Sequence, residues 1–296
     1  MFGSLTIARR QAVCAWGFLA VPLLFFAAVR FWPAIDGMLL SVQRWNLVGQ
    51  RVYVGADNYR RLAADPVFWQ VLGNTFEYLL LGLPISLGLA FLVAYHLDRV
   101  RAGHGLLRAL YFVPHLTTAT AMAWVWRWFY QPAPVGVFNA ALVQLGFAQQ
   151  PFLRSTEQAL PSVLVPAIWA ALGFQVVIFL AGLKAIPRSY YEAADIDGAR
   201  SGQVLREITL PLLLPSFVFL TITTSIGFLR IFDHVYNMTA GGEGGPLNST
   251  KPLVLSIYQS AFARLEMGYA SAQTIVLFVI LLLLTLLQMR LLRGRR

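Results

Sequence analysis

The sequence predicts an all-α integral membrane protein with six transmembrane helices and a charged elbow on the inner face. Three observations predict it. Of 296 residues, 58% are hydrophobic and 12% charged, whereas soluble domains run at about 45–50% and about 25%. Mean hydropathy is +0.64. Apolar runs long enough to cross about 30 Å of hydrocarbon recur along the chain. A soluble fold of this composition would lack polar surface to cover itself. No compositional break marks a soluble segment, so residues 1–296 read as a single transmembrane domain.

The first span is expected near 12–36, where Gln11 to Val29 carries no formal charge. Arg9 and Arg10 precede it, as in a signal peptide. The apolar run is long for one and lacks a small-residue cleavage signal, so it reads as a retained span. The second span is expected near 71–97 and the third near 109–130. The fourth lies near 162–183, with Gln175 its strongly polar residue. The fifth lies near 208–230, and the sixth near 268–289 around the dense run Ile275 to Leu284.

These spans must be helices, because backbone groups in lipid need internal partners and a barrel would show short alternating strands. Pro22, Pro84, Pro114, Pro166, Pro211 and Pro215 kink such helices where neighbours satisfy the freed carbonyl. Gly82, Ser86 and Gly88 suit close helix packing.

Six spans leave both termini on one side. Basic residues cluster on one set of connections: Arg9 and Arg10; Arg99, Arg101 and Arg108; Lys184, Arg188, Arg200 and Arg206; Arg290, Arg293, Arg295 and Arg296. The opposite loops carry fewer. The positive-inside rule therefore puts both termini in the cytoplasm. The same reading absorbs the net charge of +10: basic residues flank spans, and no pattern of a nucleic-acid-binding domain accompanies them. Arg127, Trp124, Trp126 and Trp128 read as an interface belt. Cys14 is the single cysteine, so no intrachain disulfide forms. His96, His104, His115 and His234 lack metal-ligand spacing, and no paired acids or nucleophile–base pattern suggests an enzyme.

The inner loop 184–207 is the most informative segment. Pro187 suits the first turn of a helix, Glu192, Ala193 and Ala194 continue it, and Gly198 ends it. A helix this short is unstable alone and needs a docking surface. A second short helix is expected from Arg200 to Ile208, with Pro211 leading into span five. Glu192 either pairs with Arg188 one turn earlier or faces a partner's basic group. Residue chemistry leaves both open.

Glu192-Ala193-Ala194, then Gly198-Ala199, then Ile208-Thr209-Leu210-Pro211, set between two spans, resembles the EAA signature of bacterial binding-protein-dependent ABC importer permeases. Val54-Gly55-Ala56-Asp57-Asn58-Tyr59, Asn74-Thr75, Thr239-Ala240-Gly241-Gly242 and Gly245-Pro246 are similar to the maltose-type and glycerol-phosphate-type branch. The resemblance covers nearly the whole chain. It implies the ABC importer permease fold in the bacterial cytoplasmic membrane. It further implies two ATPase subunits carrying ATP and magnesium, a second and different permease subunit, and an external solute-binding protein. This chain has no phosphate-binding loop and binds no cofactor itself.

The resemblance also implies that the helix within 187–199 docks on an ATPase through Glu192, Ala193, Ala194, Gly198 and Ala199, with Pro211 marking a bend. The cargo is then a sugar or sugar-like solute moved by alternating access. A sugar path needs polar and aromatic lining, and its candidates are Asn74, Glu77, Tyr78, Thr117, Thr118, Thr120, Gln175, Thr223, Thr224 and Asp233. Arg230 and Asp233 lie near the outer end of span five and read either as contacts to the solute-binding protein or cargo or as interface anchors. Glycerol phosphate is an alternative cargo. An ion-gradient transporter is the alternative mechanism, and would be expected to show internal repeats and a midplane ion site.

Overall fold

The computed structural model describes residues 6–100 and 103–293. Arg101, Arg295 and Arg296, counted above among the inner charges, lie outside the described residues. In chain order, α1 (Ile7–Phe26) runs through a π turn at Ala27–Phe31 into α2 (Trp32–Leu40). A short antiparallel hairpin, β1 (Gln43–Arg44) and β2 (Val52–Tyr53), and α3 (Asp57–Ala64) follow. Next come α4 (Pro66–Leu97), α5 (His104–Leu116), α6 (Ala119–Phe129), α7 (Val137–Gln144) and α8 (Ala159–Ala185). The inner segment holds α9 (Arg188–Ile196), α10 (Ser201–Val204) and α11 (Leu210–Leu212). The chain closes with α12 (Leu214–Leu229), α13 (Asp233–Met238), α14 (Leu253–Tyr258) and α15 (Met267–Arg293).

Among the described residues, four stretches are long and apolar enough to cross a membrane: Arg9–Leu40, Pro66–Leu97, Ala159–Ala185 and Met267–Leu291. Ser201–Leu212 and Leu214–Leu229 make a fifth if the pair, bent by 63°, is one span. The expected fifth span is thus a broken helix. Pro211 and Pro215 each remove an amide donor beside the break, and a π turn at Leu205–Thr209 precedes it. The expected third span is also interrupted. It consists of α5 and α6, of 13 and 11 residues, each shorter than the about 20 a span needs. Pro114 sits in the last turn of α5, and the Thr118 hydroxyl caps α6 by accepting from Ala121 N at 3.4 Å.

The described residues fall into two compact units. The smaller comprises residues up to 64 together with 257–276. Its anchor is Asn58, 1% exposed, whose Nδ2 donates to the carbonyls of Ser41 and Gln43 at 2.9 and 2.8 Å. Arg61 pairs with Glu266 at 2.8 Å.

The larger unit, 65–256 with 277 onward, is a bundle of α4, α5, α8 and α12. Asp65 starts α4 by accepting from Val67 N at 2.9 Å, with Pro66 in the first turn. Two apolar clusters fill the bundle. One gathers Tyr78, Val163, Phe228, Val235 and Met238; the other gathers Ala90, Phe179, Leu183, Leu213 and Leu220. Lipid is as apolar as these side chains, so close fit and hydrogen bonds, rather than exclusion of water, must hold the helices together. Gly82 provides such a fit. A Cβ there would lie 2.6 Å from the Phe228 ring, so this glycine brings α4 and α12 together.

Candidate functional site

Two features of the larger unit have the chemistry of function: a cavity among α5, α8, α12 and α13, and the elbow made by α9 to α11.

The cavity has a volume of about 360 Å³. Gln175 sits in its wall on α8, 2% exposed. Its Oε1 accepts from Ser86 Oγ on α4 at 2.7 Å, and its Nε2 donates to Thr224 Oγ1 on α12 at 3.1 Å. One amide thereby ties three helices and retains one N–H for another acceptor. Thr223 lines the same wall, with its hydroxyl turned back to the Phe219 carbonyl at 2.9 Å. His115 Nδ1 lies 3.1 Å from the Ala170 carbonyl; a carbonyl only accepts, so Nδ1 carries the proton. Its ring stacks on Phe174 at 5.6 Å.

Arg230 and Asp233, both exposed, line the rim near Phe232. Neither forms a salt bridge among the described residues. Burial holds the His234 imidazole below its ordinary range, against the opposing pull of the Asp233 charge. The cavity thus combines aromatic walls with separated polar groups, a lining suited to a small polar solute with apolar faces.

Of the sequence candidates for a solute path, Gln175, Thr223, Thr224 and Asp233 meet in this cavity. Asn74 and Tyr78 do not line it. Asn74 Nδ2 donates to the carbonyls of Asn248 and Lys251 at 2.7 and 3.1 Å, and the buried Tyr78 hydroxyl donates to the Thr250 carbonyl at 3.0 Å. Both hold the glycine-rich loop after α13 against α4. Glu77 is exposed on α4. Thr117 bonds the Val113 carbonyl at 3.3 Å, Thr118 caps α6, and Thr120 is exposed on α6. Arg230, read from the sequence as a contact or an anchor, lines the cavity, as do His115 and Phe174, which were not among the sequence candidates for that path.

The elbow begins with Pro187, which occupies the N-cap of α9 rather than its first turn. Gly198 ends the helix at φ +68°, a left-handed conformation natural to glycine. Ala199 N closes the turn on the Ala194 carbonyl at 2.9 Å. Ala194 is buried, whereas Glu192, Ala193, Tyr190 and Ile196 are exposed. Glu192 makes no salt bridge with Arg188 or any other described residue. The exposed side of α9 therefore presents a free carboxylate beside small and apolar side chains.

Residues 78–296 match the family described as binding-protein-dependent transport system inner membrane component. The chain belongs to this family. The permease is 32% identical to the lactose transport system permease protein LacF of Rhizobium radiobacter, over 98% of each chain. It is 34% identical to the probable ABC transporter permease protein YesP of Bacillus subtilis, over 94% of this chain and 90% of that one. It is 33% identical to the sn-glycerol-3-phosphate permease protein UgpA of Agrobacterium fabrum, over 90% and 89%. Its fold matches a bacterial ABC transporter involved in importing the acidic polysaccharide alginate, with TM-score 0.85 over 97% of both chains at 22% identity. The resemblance read from the inner loop is thereby borne out. The permease is a multi-pass subunit of the inner membrane, the transport component of an ATP-driven importer and not an enzyme.

Proposed function

We propose that this permease moves a sugar or sugar-like solute into the cytoplasm by alternating access, with the Gln175 cavity as part of the path. The observation that carries this reading is the cavity itself, where Gln175 and Thr224 lie beside stacked His115 and Phe174. Sugars present hydroxyls for hydrogen bonds and flat faces for rings. The names of the relatives, lactose among them, support the class.

In this reading the whole chain acts as one permease domain of six spans. The α5–α6 pair is the third span and the bent pair ending in α12 the fifth. Both termini face the cytoplasm. Of two ATPase subunits carrying ATP and magnesium, one grips α9 through Glu192, Ala193, Gly198 and Ala199, while Ala194, expected at the same contact, is buried and holds α9 to its own chain, and Pro211 gives the bend its place. A second, different permease subunit completes the core, and an external solute-binding protein delivers cargo. The free carboxylate of Glu192 supports the docking role, because a partner's cation would find it uncommitted. Family membership sets aside the ion-gradient alternative.

One observation favours a second cargo. Arg230 at the cavity rim has no carboxylate partner among the described residues, which suits a phosphate ester such as glycerol phosphate. The test is uptake by the reconstituted complex in vesicles, with and without ATP, using radiolabelled lactose and glycerol 3-phosphate in separate arms. ATP-dependent uptake of the sugar that falls in Gln175→Leu supports the main reading. Uptake of the phosphate ester alone, lost in Arg230→Gln, supports the second. Uptake unaffected by either substitution removes the cavity from the path.

A further inference from the structure

We infer that Tyr191 and Thr209 are the positioning residues that carry movement of α9 into the broken helix of span five. The inference rests on the docking reading above and adds the route by which the motion travels. Three observations place them. The Tyr191 ring packs against the apolar cluster containing Leu183 and Leu213. Its hydroxyl lies 3.3 Å from Thr209 Oγ1, and Thr209 is 1% exposed. Thr209 Oγ1 in turn donates to the Val204 carbonyl at 3.3 Å, across the π turn Leu205–Thr209.

The donors can be assigned. A threonine hydroxyl has one proton, and Thr209 spends it on Val204, because a carbonyl only accepts. Tyr191 must therefore donate to Thr209. The result is a directed chain, Tyr191 to Thr209 to Val204, running from α9 into a π turn. Such turns hold an extra residue per helical repeat and often mark sites where a helix changes its winding. This one lies just before the 63° break.

A polar cavity of about 330 Å³ flanks the chain, lined by Tyr95, Asp98, Asp195 and Ser201 among others. It leaves α9 room to tilt, while the Tyr191 ring and hydroxyl stay anchored at both ends. A pull on α9 is thus delivered to the π turn, and re-winding there swings α12 about the break. The structure offers no second hydrogen bond between α9 and the helix that follows among the described residues.

The experiment measures solute imported per ATP hydrolysed by the complete complex in vesicles. Tyr191→Phe and Thr209→Val are each expected to lower that ratio by about fivefold, the effect of losing one modest hydrogen bond from a two-state balance. ATP hydrolysis itself should persist. Thr209→Ser, which keeps the hydroxyl, should restore the ratio, and the double variant should fall no further than either single one. An unchanged ratio in Tyr191→Phe overturns the inference, whether or not Thr209→Val assembles. Docking is read separately, by cross-linking Ala193→Cys to the ATPase in a Cys14→Ser background. Absence of that cross-link would defeat the docking reading. Its presence with an unchanged ratio would defeat the hydroxyl chain alone.

Discussion

Ser86 and Gln175, both buried, are joined by a 2.7 Å hydrogen bond. Continued from Gln175 to Thr224, the contact holds α4, α8 and α12 in one register beside the cavity. Interhelical hydrogen bonds in lipid average about 0.6 kcal/mol and reach about 1.7. Gln175→Leu removes two and strands the Ser86 hydroxyl, so a loss of about 1–3 kcal/mol is expected. Unfolding in detergent checks it. In the Ser86→Ala background the same substitution should cost less, because no hydroxyl is then left without its acceptor.

Gly82 and Phe228 make the second test of packing. A side chain at Gly82 would meet the ring at 2.6–2.8 Å. Gly82→Val should cost about 1–3 kcal/mol through overpacking. Combining it with Phe228→Ala should recover part of that loss, measured again as thermal unfolding in detergent. Equal instability of the single and double variants would show that the glycine matters for another reason.

The elbow gives a third prediction. Glu192→Ala and Gly198→Val should each abolish ATP-dependent uptake while leaving membrane insertion intact. Forcing a β-branched residue into the left-handed conformation at Gly198 costs at least about 1–2 kcal/mol. Unchanged uptake by both variants in vesicles would end the docking role given to α9.

Much of the fold was legible because membrane spans announce themselves through length and hydropathy. The runs around Tyr78 to Leu97 and Ile275 to Leu284 became α4 and α15. The prolines mark kinks at Pro114, Pro211 and Pro215, but not that the helices break there. Pro114, Thr117 and Thr118 lie inside a long apolar window, and such a window averages over the two or three residues where a helix stops. Pro211 and Pro215 were recognised as kinks, but a 63° break also needs the π turn ahead of them, and no local composition marks a π turn.

The site was legible to a similar degree. Gln175, Thr223 and Thr224 stand out as polar residues in apolar runs and do share a cavity. Asn74 and Tyr78 stand out for the same reason, yet their partners are carbonyls of a distant loop. A polar side chain in a span looks alike in sequence whether it awaits a solute or holds a backbone. His115 has no metal-ligand spacing in the sequence, and its stacking on Phe174 depends on a contact between helices.

The clamp on that loop supplies a fourth prediction. Asn74→Ala and Tyr78→Phe should speed amide hydrogen exchange across residues 247–253 while sparing α8. The buried Thr250 carbonyl left without its donor should cost about 1–3 kcal/mol, and the half-buried carbonyls of Asn248 and Lys251 less. Exchange that stays slow in both variants would mean the loop is fastened by other groups.

That clamp changes what the glycines after α13 are for. Gly241, Gly242, Gly244 and Gly245 all take positive φ, and Gln70, Asn74, Thr75 and Tyr78 bind the backbone that follows them. Glycine here buys curvature, not motion. A visitor arriving at this loop meets a surface already in its final form, so contact need not spend its first gains on freezing a wandering chain, and encounters can be brief, frequent and still selective.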